Sequence, residues 1–287
     1  MRASLFALAC LGAAALSCAP KMHEPVDALL AKVPDSAWER LSTRTVYFGH
    51  QSVGYDIVSG VGALEKRHGK IKLGVLESKD PAAWTGPGLV HSKIGVNKDP
   101  LSKIQDFQTL MEAPAGRGPD IAFFKFCYVD IDGSTDVGAL FDRYKQAMAS
   151  LRAEHPSVQF VHVTTPLTVI ESGPKAWAKK ILGRPLEGAA GNVRRSAFNE
   201  LLLKEYDGRD PVFDLAKFES TQPDGGRETF RFEGKSYPRL IADYSYDGRH
   251  LNETGAEWIA AHLLALLARL EPPVTPATTA ATLPATR

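Results

Sequence analysis

The chain has 287 residues, of which 44% are hydrophobic and 23% are charged, and its formal net charge is +1. This composition is typical of a globular protein with one sizeable core. The chain lacks the broad excess of basic residues on which nucleic-acid binding usually depends. The sequence also contains no glycine-rich phosphate loop and no cysteine pair at zinc spacing. We therefore expect no nucleic-acid partner, no metal and no organic cofactor.

The N-terminus has the pattern of an export signal. Arg2 precedes a short apolar run over residues 5–16, and small residues follow as far as Cys18. Such a pattern indicates a secretory signal and not a membrane-spanning helix. The residues from Ala15 to Cys18 also resemble a bacterial lipobox, although Ala15 stands where Leu is commonest. A lipid anchor on Cys18 and a plain cleaved signal both remain open. We expect residues 1–18 to be the signal, and the protein to be exported as a periplasmic, extracellular or membrane-anchored lipoprotein species.

Apolar segments alternate with helical patterns in the body of the chain. Segments rich in β-branched or aromatic residues predict strands buried on both faces of a parallel sheet, and they cover residues 45–48, 71–76, 121–124, 160–163 and 212–215. Apolar residues at helical spacing predict helices over 101–111, 140–151 and 259–270. This alternation predicts one α/β domain over residues 41–271, built as a three-layer α/β/α sandwich with a parallel sheet.

Other segments complete the predicted organisation. Polar residues 19–40 predict a linker, residues 171–192 predict an excursion or lid-like loop, and the Pro- and Thr-rich residues 272–287 predict a disordered tail. Thr254 and Glu257 have the spacing of a capping box at the start of the last helix.

Cys127 is the one cysteine beyond the signal, which excludes an intrachain disulfide in the body and favours a buried structural thiol over a nucleophile.

One segment with chemical potential begins at the end of the first predicted strand. There the chain reads Gly-His-Gln-Ser-Val-Gly over residues 49–54 and then continues as a helix. Ligand crevices form at the carboxyl ends of parallel strands. A serine at such a turn can present a nucleophilic hydroxyl and offer its own N–H to an oxyanion. For Ser52 the alternative is an ordinary helix N-cap.

The second segment precedes the last predicted helix. Asp247 and His250 are three residues apart in a predicted tight turn. This spacing allows the carboxylate to accept a hydrogen bond from Nδ1 of the imidazole, which leaves Nε2 ready to take a proton from Ser52. The alternative is a surface turn with a capping histidine.

Together the two segments resemble the SGNH (GDSL-type) hydrolase family, which has a nucleophilic serine after the first strand and an Asp-x-x-His pair before the last helix. Residues 247–255 are especially similar to the final conserved block of that family, and the resemblance extends over roughly residues 44–270. It implies a flavodoxin-like α/β/α architecture, ester hydrolysis without a cofactor, and a catalytic triad of Ser52, Asp247 and His250.

The oxyanion hole of this family uses the serine backbone, a glycine and an asparagine side chain. By resemblance Gly95 is the candidate glycine, with an ordinary loop glycine as the alternative. Two features depart from the family pattern: no Asp precedes Ser52, and Cys127 lies near the expected position of the Asn. We consider Asn97 as a substitute donor. His50 either lines the pocket and binds substrate or packs at the turn.

The expected function is therefore removal of an O-acyl group from a carbohydrate or small ester outside the cytoplasm. The alternatives are a weakly catalytic SGNH-like surface binding protein and an O-acyltransferase that uses the same triad. A metal site at His50, His91 and Asp130 is not favoured, because their spacing does not indicate one. The close Asp-x-x-His pair argues against an α/β-hydrolase elbow at Ser52.

Overall fold

The computed structural model describes residues 23–113, 118–184 and 186–272. The helices in these ranges are α1 (His23–Ala31), α2 (Asp35–Ser42), α3 (Val53–Arg67), α4 (Pro100–Glu112), α5 (Val137–Glu154), α6 (Gly173–Ile181), α7 (Ala189–Tyr206), α8 (Leu215–Ser220) and α9 (Glu253–Arg269). The strands are β1 (Thr45–His50), β2 (Val75–Glu77), β3 (Gly88–Lys93), β4 (Ile121–Phe124), β5 (Gln159–Val163), β6 (Val212–Phe213), β7 (Thr229–Phe232) and β8 (Lys235–Pro238).

Six strands form one parallel sheet in the order β2-β3-β1-β4-β5-β6, and β7 and β8 form a separate antiparallel hairpin. Successive side chains of a strand point to opposite faces of the sheet. In β1, Val46 and Phe48 pack into a core with α1, α2, α3, α8 and α9, whereas Tyr47 packs into a second core with α4, α5 and α7. Both faces of the sheet are thus covered, and the predicted three-layer α/β/α sandwich is confirmed.

Several strands differ from their predicted extents. Residues 45–48, 121–124 and 160–163 lie in β1, β4 and β5 as predicted, but the run 71–76 enters the sheet only at Val75. The strand predicted over 212–215 ends at Phe213, because the Asp214 side chain caps α8. β3 was not predicted, since polar His91 and Ser92 interrupt its apolar pattern even though both are buried.

Residues 23–42 form helices α1 and α2 where the sequence predicted a linker. The physical reason is an apolar face that packs in the same core as α9, with Val26, Leu30 and Trp38 almost fully buried. Pro25 lies in the first turn of α1, where proline is tolerated. The predicted lid-like segment 171–192 contains α6 and the start of α7.

The predicted signal and most of the predicted tail, residues 273–287, lie outside the described residues. Within the described ranges, no helix combines the length and apolar character needed to cross a bilayer.

The last helix begins as the sequence indicates but with a different cap. The Asn252 side chain, not Thr254, caps α9 by accepting a 3.0 Å hydrogen bond from the Gly255 N–H. Helix α9 packs closely on α3, where Gly60 lies against the main chain of Ala256. Because Ser52 directly precedes α3 and His250 lies just before α9, this helix pair brings the two segments of chemical interest together.

Candidate active site

Ser52 lies between the carboxyl end of β1 and the first residue of α3. Its backbone has φ 55° and ψ −120°, a left-handed value of φ that is unfavourable for a side chain with a Cβ. Strain of this kind persists where the surrounding structure enforces it, and such positions cluster at functional sites. The Ser52 side chain does not cap α3. Its Oγ instead lies 2.6 Å from Nε2 of His250, so the ordinary N-cap interpretation does not describe this residue.

Asp247 and His250 form the tight turn that their spacing predicts. Oδ2 of Asp247 lies 2.7 Å from Nδ1 of His250, and Oδ1 accepts hydrogen bonds from the main-chain N–H groups of Arg249 and His250. Ser245 closes the turn, because its Oγ donates to the His250 carbonyl and accepts from the Gly248 N–H. A continuous chain of hydrogen bonds therefore runs from Asp247 through His250 to Ser52.

Neighbouring groups stabilise the charged form of the Asp247 carboxylate and contact the His250 imidazole. Partial burial would raise the pKa of Asp247, but the hydrogen bonds from His250 and Arg249 outweigh it and hold the pKa below its ordinary value. The rings of Tyr128 and Tyr246 each lie 5.8 Å from the His250 ring, one edge-on and one stacked. These contacts restrict the rotation of the imidazole.

Asp56 supports the same segment from α3. Its Oδ2 accepts a 3.0 Å hydrogen bond from the Leu251 N–H, directly after His250. Burial raises the pKa of Asp56, although this hydrogen bond and the nearby positive groups oppose the rise. No sequence pattern singled out Asp56, because a carboxylate on the fourth residue of a helix usually faces solvent.

Gly95 and Asn97 occupy the loop between β3 and α4. The Gly95 N–H donates to Oδ2 of Asp106 at 2.8 Å, so this arrangement leaves it unavailable to an oxyanion. A glycine is required here for another reason: φ is 55°, and a Cβ would lie 2.6 Å from the main-chain nitrogen of Lys103. Asn97 is exposed, and its Oδ1 accepts a 2.9 Å hydrogen bond from Nζ of Lys103. This contact engages Oδ1, and Nδ2 makes no hydrogen bond to another described residue.

His50 has no exposed surface and packs at the turn, so it does not line a substrate pocket. Its side chain is fully buried, and its Nε2 lies 3.0 Å from Nδ1 of His91. Burial, aided by Lys125 and His91, lowers the pKa of His50 to about 2, so the ring is neutral. Gly54 packs so closely on this ring that a Cβ would lie 2.3 Å from it. His50 therefore packs against the first turn of α3.

Three residues behind Ser52 form contacts that the motifs did not reveal. The Gln51 side chain donates to the carbonyls of Ile94 and Gly95 and so joins the Ser52 turn to the next loop. The main-chain carbonyl of Gln51 accepts from Nζ of Lys125 at 2.9 Å and from Sγ of Cys127 at 3.5 Å. Cys127 is thus a buried free thiol directed at the backbone. The sequence signal for this cluster is a single lysine within an otherwise apolar run, Ile-Ala-Phe-Phe-Lys-Phe-Cys, over residues 121–127.

A cleft of about 660 Å³ lies at the Asp247 end of the triad and is lined by Tyr128 and by the Asp247–Arg249 turn, whereas Ser52 and His250 are not among its lining residues. Charged side chains of both signs face it, including those of Lys98, Arg195 and Glu187. The buried Arg195 guanidinium donates to the carbonyls of Tyr128 and Ile131 and thereby fixes one wall. This lining is suited to a polar ligand.

The candidate metal ligands are engaged elsewhere. Asp130 forms a buried ion pair with Lys103 at 2.5 Å and accepts from the main-chain N–H groups of Lys98 and Cys127. In the described part of the chain, no group of three or more His, Cys, Asp or Glu side chains is arranged to hold a metal ion.

Comparison with solved structures finds distant similarities. The chain is similar to a proposed platelet activating factor from Streptococcus pneumonia, with a TM-score of 0.47 and 12% identity over 85% of this chain and 97% of that one. It is also similar to a proposed lipolytic protein of the G-D-S-L family from Desulfitobacterium hafniense, with a TM-score of 0.44 and 10% identity over 77% and 99% of the two chains.

A third similar structure is the acetyl xylan esterase AlAXEase, with a TM-score of 0.43 and 16% identity over 76% of this chain and 96% of that one. No family model and no curated protein matches the sequence.

Proposed function

We propose that this protein is a serine ester hydrolase of the SGNH type that removes an O-acyl group from a polar substrate. The observation that carries the proposal is the hydrogen-bonded chain Asp247–His250–Ser52, which ends on a serine in a strained turn at the carboxyl end of β1. A nucleophile, a base within hydrogen-bond reach and a third group that orients the base are the features of an activated serine.

The proposed reaction follows from the contacts. As Ser52 Oγ attacks the ester carbonyl carbon, its proton passes to Nε2 of His250, and the carbonyl electron pair moves onto oxygen. Asp247 stabilises the imidazolium through its hydrogen bond with Nδ1. His250 then gives the proton to the departing alkoxide, which leaves an acyl group on Ser52. Attack by water, with His250 again acting as base, releases the acid and restores Ser52.

The oxyanion requires donors that are not already engaged. No hydrogen bond within the described residues uses the Ser52 N–H, as is usual for amides at a helix N-terminus. We assign this N–H and Nδ2 of Asn97 as the two donors and leave out Gly95. Loss of one such donor typically slows kcat by about 100-fold or more. An Asn97→Ala enzyme with unchanged kcat would remove Asn97 from this role.

The polar lining of the cleft supports a carbohydrate ester or another small polar ester as substrate. The export-signal pattern of residues 1–18 favours action outside the cytoplasm.

Hydrolysis of p-nitrophenyl acetate by the purified protein tests the proposal, with Ser52→Ala and His250→Ala as the decisive variants. We expect each variant to lose at least about 1,000-fold in kcat. Cys127→Ala is the matched control, since it removes the alternative nucleophile near the same turn, and it should retain activity. A Ser52→Ala enzyme as active as the wild type would refute the proposal, and an inert but folded wild type would favour the binding-protein alternative.

A second assay separates hydrolysis from acyl transfer. The products are analysed with a sugar alcohol present in excess as acceptor. Free acid as the main product supports the hydrolase, whereas acylated sugar as the main product would identify an acyltransferase with the same three residues.

A further inference from the structure

Lys125 is a fully buried lysine at the carboxyl end of β4. Its Nζ donates to the Gln51 carbonyl at 2.9 Å and to the Phe126 carbonyl at 3.4 Å, and lies 3.8 Å from Sγ of Cys127. No carboxylate in the described ranges lies within ion-pair distance of it, in contrast to the other buried lysine, Lys103, which pairs with Asp130. Burial of an ammonium group without a carboxylate is unfavourable, so this residue calls for an explanation.

The carbonyl that Lys125 contacts belongs to the peptide unit that ends in the Ser52 nitrogen. In a planar trans peptide the C=O and the N–H point in opposite directions. The Lys125 Nζ on the Gln51 oxygen therefore lies behind the peptide group, and the Ser52 N–H is directed away from it. The same oxygen also accepts from the Gly54 N–H and from the Cys127 thiol. Three donors thus contact the carbonyl oxygen of the Gln51–Ser52 peptide group, and Ser52 is the residue with the strained φ.

Donors on a carbonyl oxygen polarise the amide and make its N–H a stronger donor, and a charged donor has the largest effect. The Ser52 N–H is the main-chain donor that the proposed esterase needs for its oxyanion. The third-block asparagine that assists this donor in the SGNH family is absent here, and Cys127 lies at its approximate position.

We infer that Lys125 is a positioning residue of the proposed reaction, which holds the Gln51–Ser52 peptide in its strained orientation and strengthens the Ser52 N–H as an oxyanion donor. The inference rests on the proposed function. Lys125 takes no part in bond making: the proton still passes from Ser52 to His250, and the charge that develops on the substrate oxygen is stabilised through the peptide group.

Lys125→Met tests the inference, because methionine has a similar length without the charge or the donor. We expect kcat for p-nitrophenyl acetate to fall about 10- to 100-fold, somewhat less than for complete loss of an oxyanion donor, with KM changed less than about twofold. Affinity for a trifluoromethyl ketone, which forms a tetrahedral oxyanion adduct with the serine, should fall by the same factor as kcat/KM. The thermal midpoint should hold or rise, because the variant removes a buried lysine that has no carboxylate at ion-pair distance in the described ranges and whose pKa is lowered by burial.

Cys127→Ala is the matched control, since it removes the weaker and uncharged donor to the same carbonyl. Its kcat should fall less than about threefold. Lys125→Gln, which is neutral but retains an N–H donor, should lie between wild type and Lys125→Met and provides a second variant if methionine prevents folding.

A folded Lys125→Met enzyme with kcat within about twofold of wild type would overturn the inference, as would a fall in kcat without the matching fall in affinity for the ketone. Failure of both Lys125 variants to fold would also overturn it, because Lys125 would then serve the fold. These outcomes are distinct from failure of the proposed function, in which Ser52→Ala itself retains activity.

Discussion

The contact between α3 and α9 gives the sharpest structural prediction, because Ser52 and His250 lie at the starts of these helices. A Cβ added at Gly60 would lie 2.3 Å from the Ala256 carbonyl oxygen and 2.6 Å from its carbon. These distances are about 1 Å shorter than ordinary van der Waals contact, and main-chain atoms cannot swing aside. In Gly60→Ala the two helices must separate, and overpacking of this kind destabilises a fold by about 2 kcal/mol.

Gly62 provides the control on the same helix. A Cβ there would meet no atom within 4 Å. Gly62→Ala should therefore stabilise the protein by about 0.5–1 kcal/mol, since alanine is the better helix former. Urea unfolding of the two variants should show free energies of unfolding that differ by about 3 kcal/mol, with opposite signs relative to wild type.

The same separation should reach the candidate site. A displacement of the order of 1 Å between Ser52 and His250 lowers kcat by about 100-fold, whereas Gly62→Ala should leave kcat unchanged. A Gly60→Ala protein as stable and active as Gly62→Ala would refute the idea that this helix contact sets the distance between the two residues.

Two further predictions concern the triad and acid stability. Asp247→Asn should lower kcat by about 10³- to 10⁴-fold with little change in the thermal midpoint, because the amide favours the wrong tautomer of the imidazole; full activity would argue against an orienting role. Burial, as the main cause, lowers the pKa of His50 to about 2 and those of His162 and His262 to about 4, whereas burial raises the pKa of Glu219 to about 8. Burial also lowers the pKa of His91. Below pH 6.5 the unfolded chain therefore takes up protons on these four histidines more readily than the folded chain does, and Glu219, which keeps its proton in the folded chain, offsets part of the loss. Urea unfolding should show stability falling from pH 7 to pH 5, and a rise over this interval would contradict these assignments.

The sequence could predict those parts of the site that depend on residues close together in the chain. The hydrogen bond between Asp247 and Nδ1 of His250 spans one turn and is present as predicted. The position of Ser52 after β1 follows from a buried strand that runs into a helix. The 2.6 Å contact between Ser52 and His250 joins residues 198 positions apart, and local patterns do not encode it; the chemistry of a serine–histidine pair and the family resemblance suggested it.

The features that the sequence could not predict depend on tertiary contacts. The Gly95 N–H is engaged by Asp106, a choice of partner that a loop sequence does not show. Lysine usually faces solvent, yet Lys125 is buried, and its hydrogen bonds are accepted by the carbonyl of Gln51 in a neighbouring turn and by that of the adjacent Phe126. Helix α1 contains charged residues and a proline that obscure its apolar face. Strand β3 contains His91 and Ser92, whose buried partners His50 and Tyr47 lie on another strand.

The most direct test of the account is covalent labelling with a fluorophosphonate, followed by identification of the modified peptide by mass spectrometry. We predict one label per chain, on Ser52, with labelling strongly slowed in His250→Ala and slowed less than about threefold in Cys127→Ala. A folded protein that takes no label, or one labelled at another residue while Ser52 stays free, would contradict the assignment of Ser52 as the activated nucleophile.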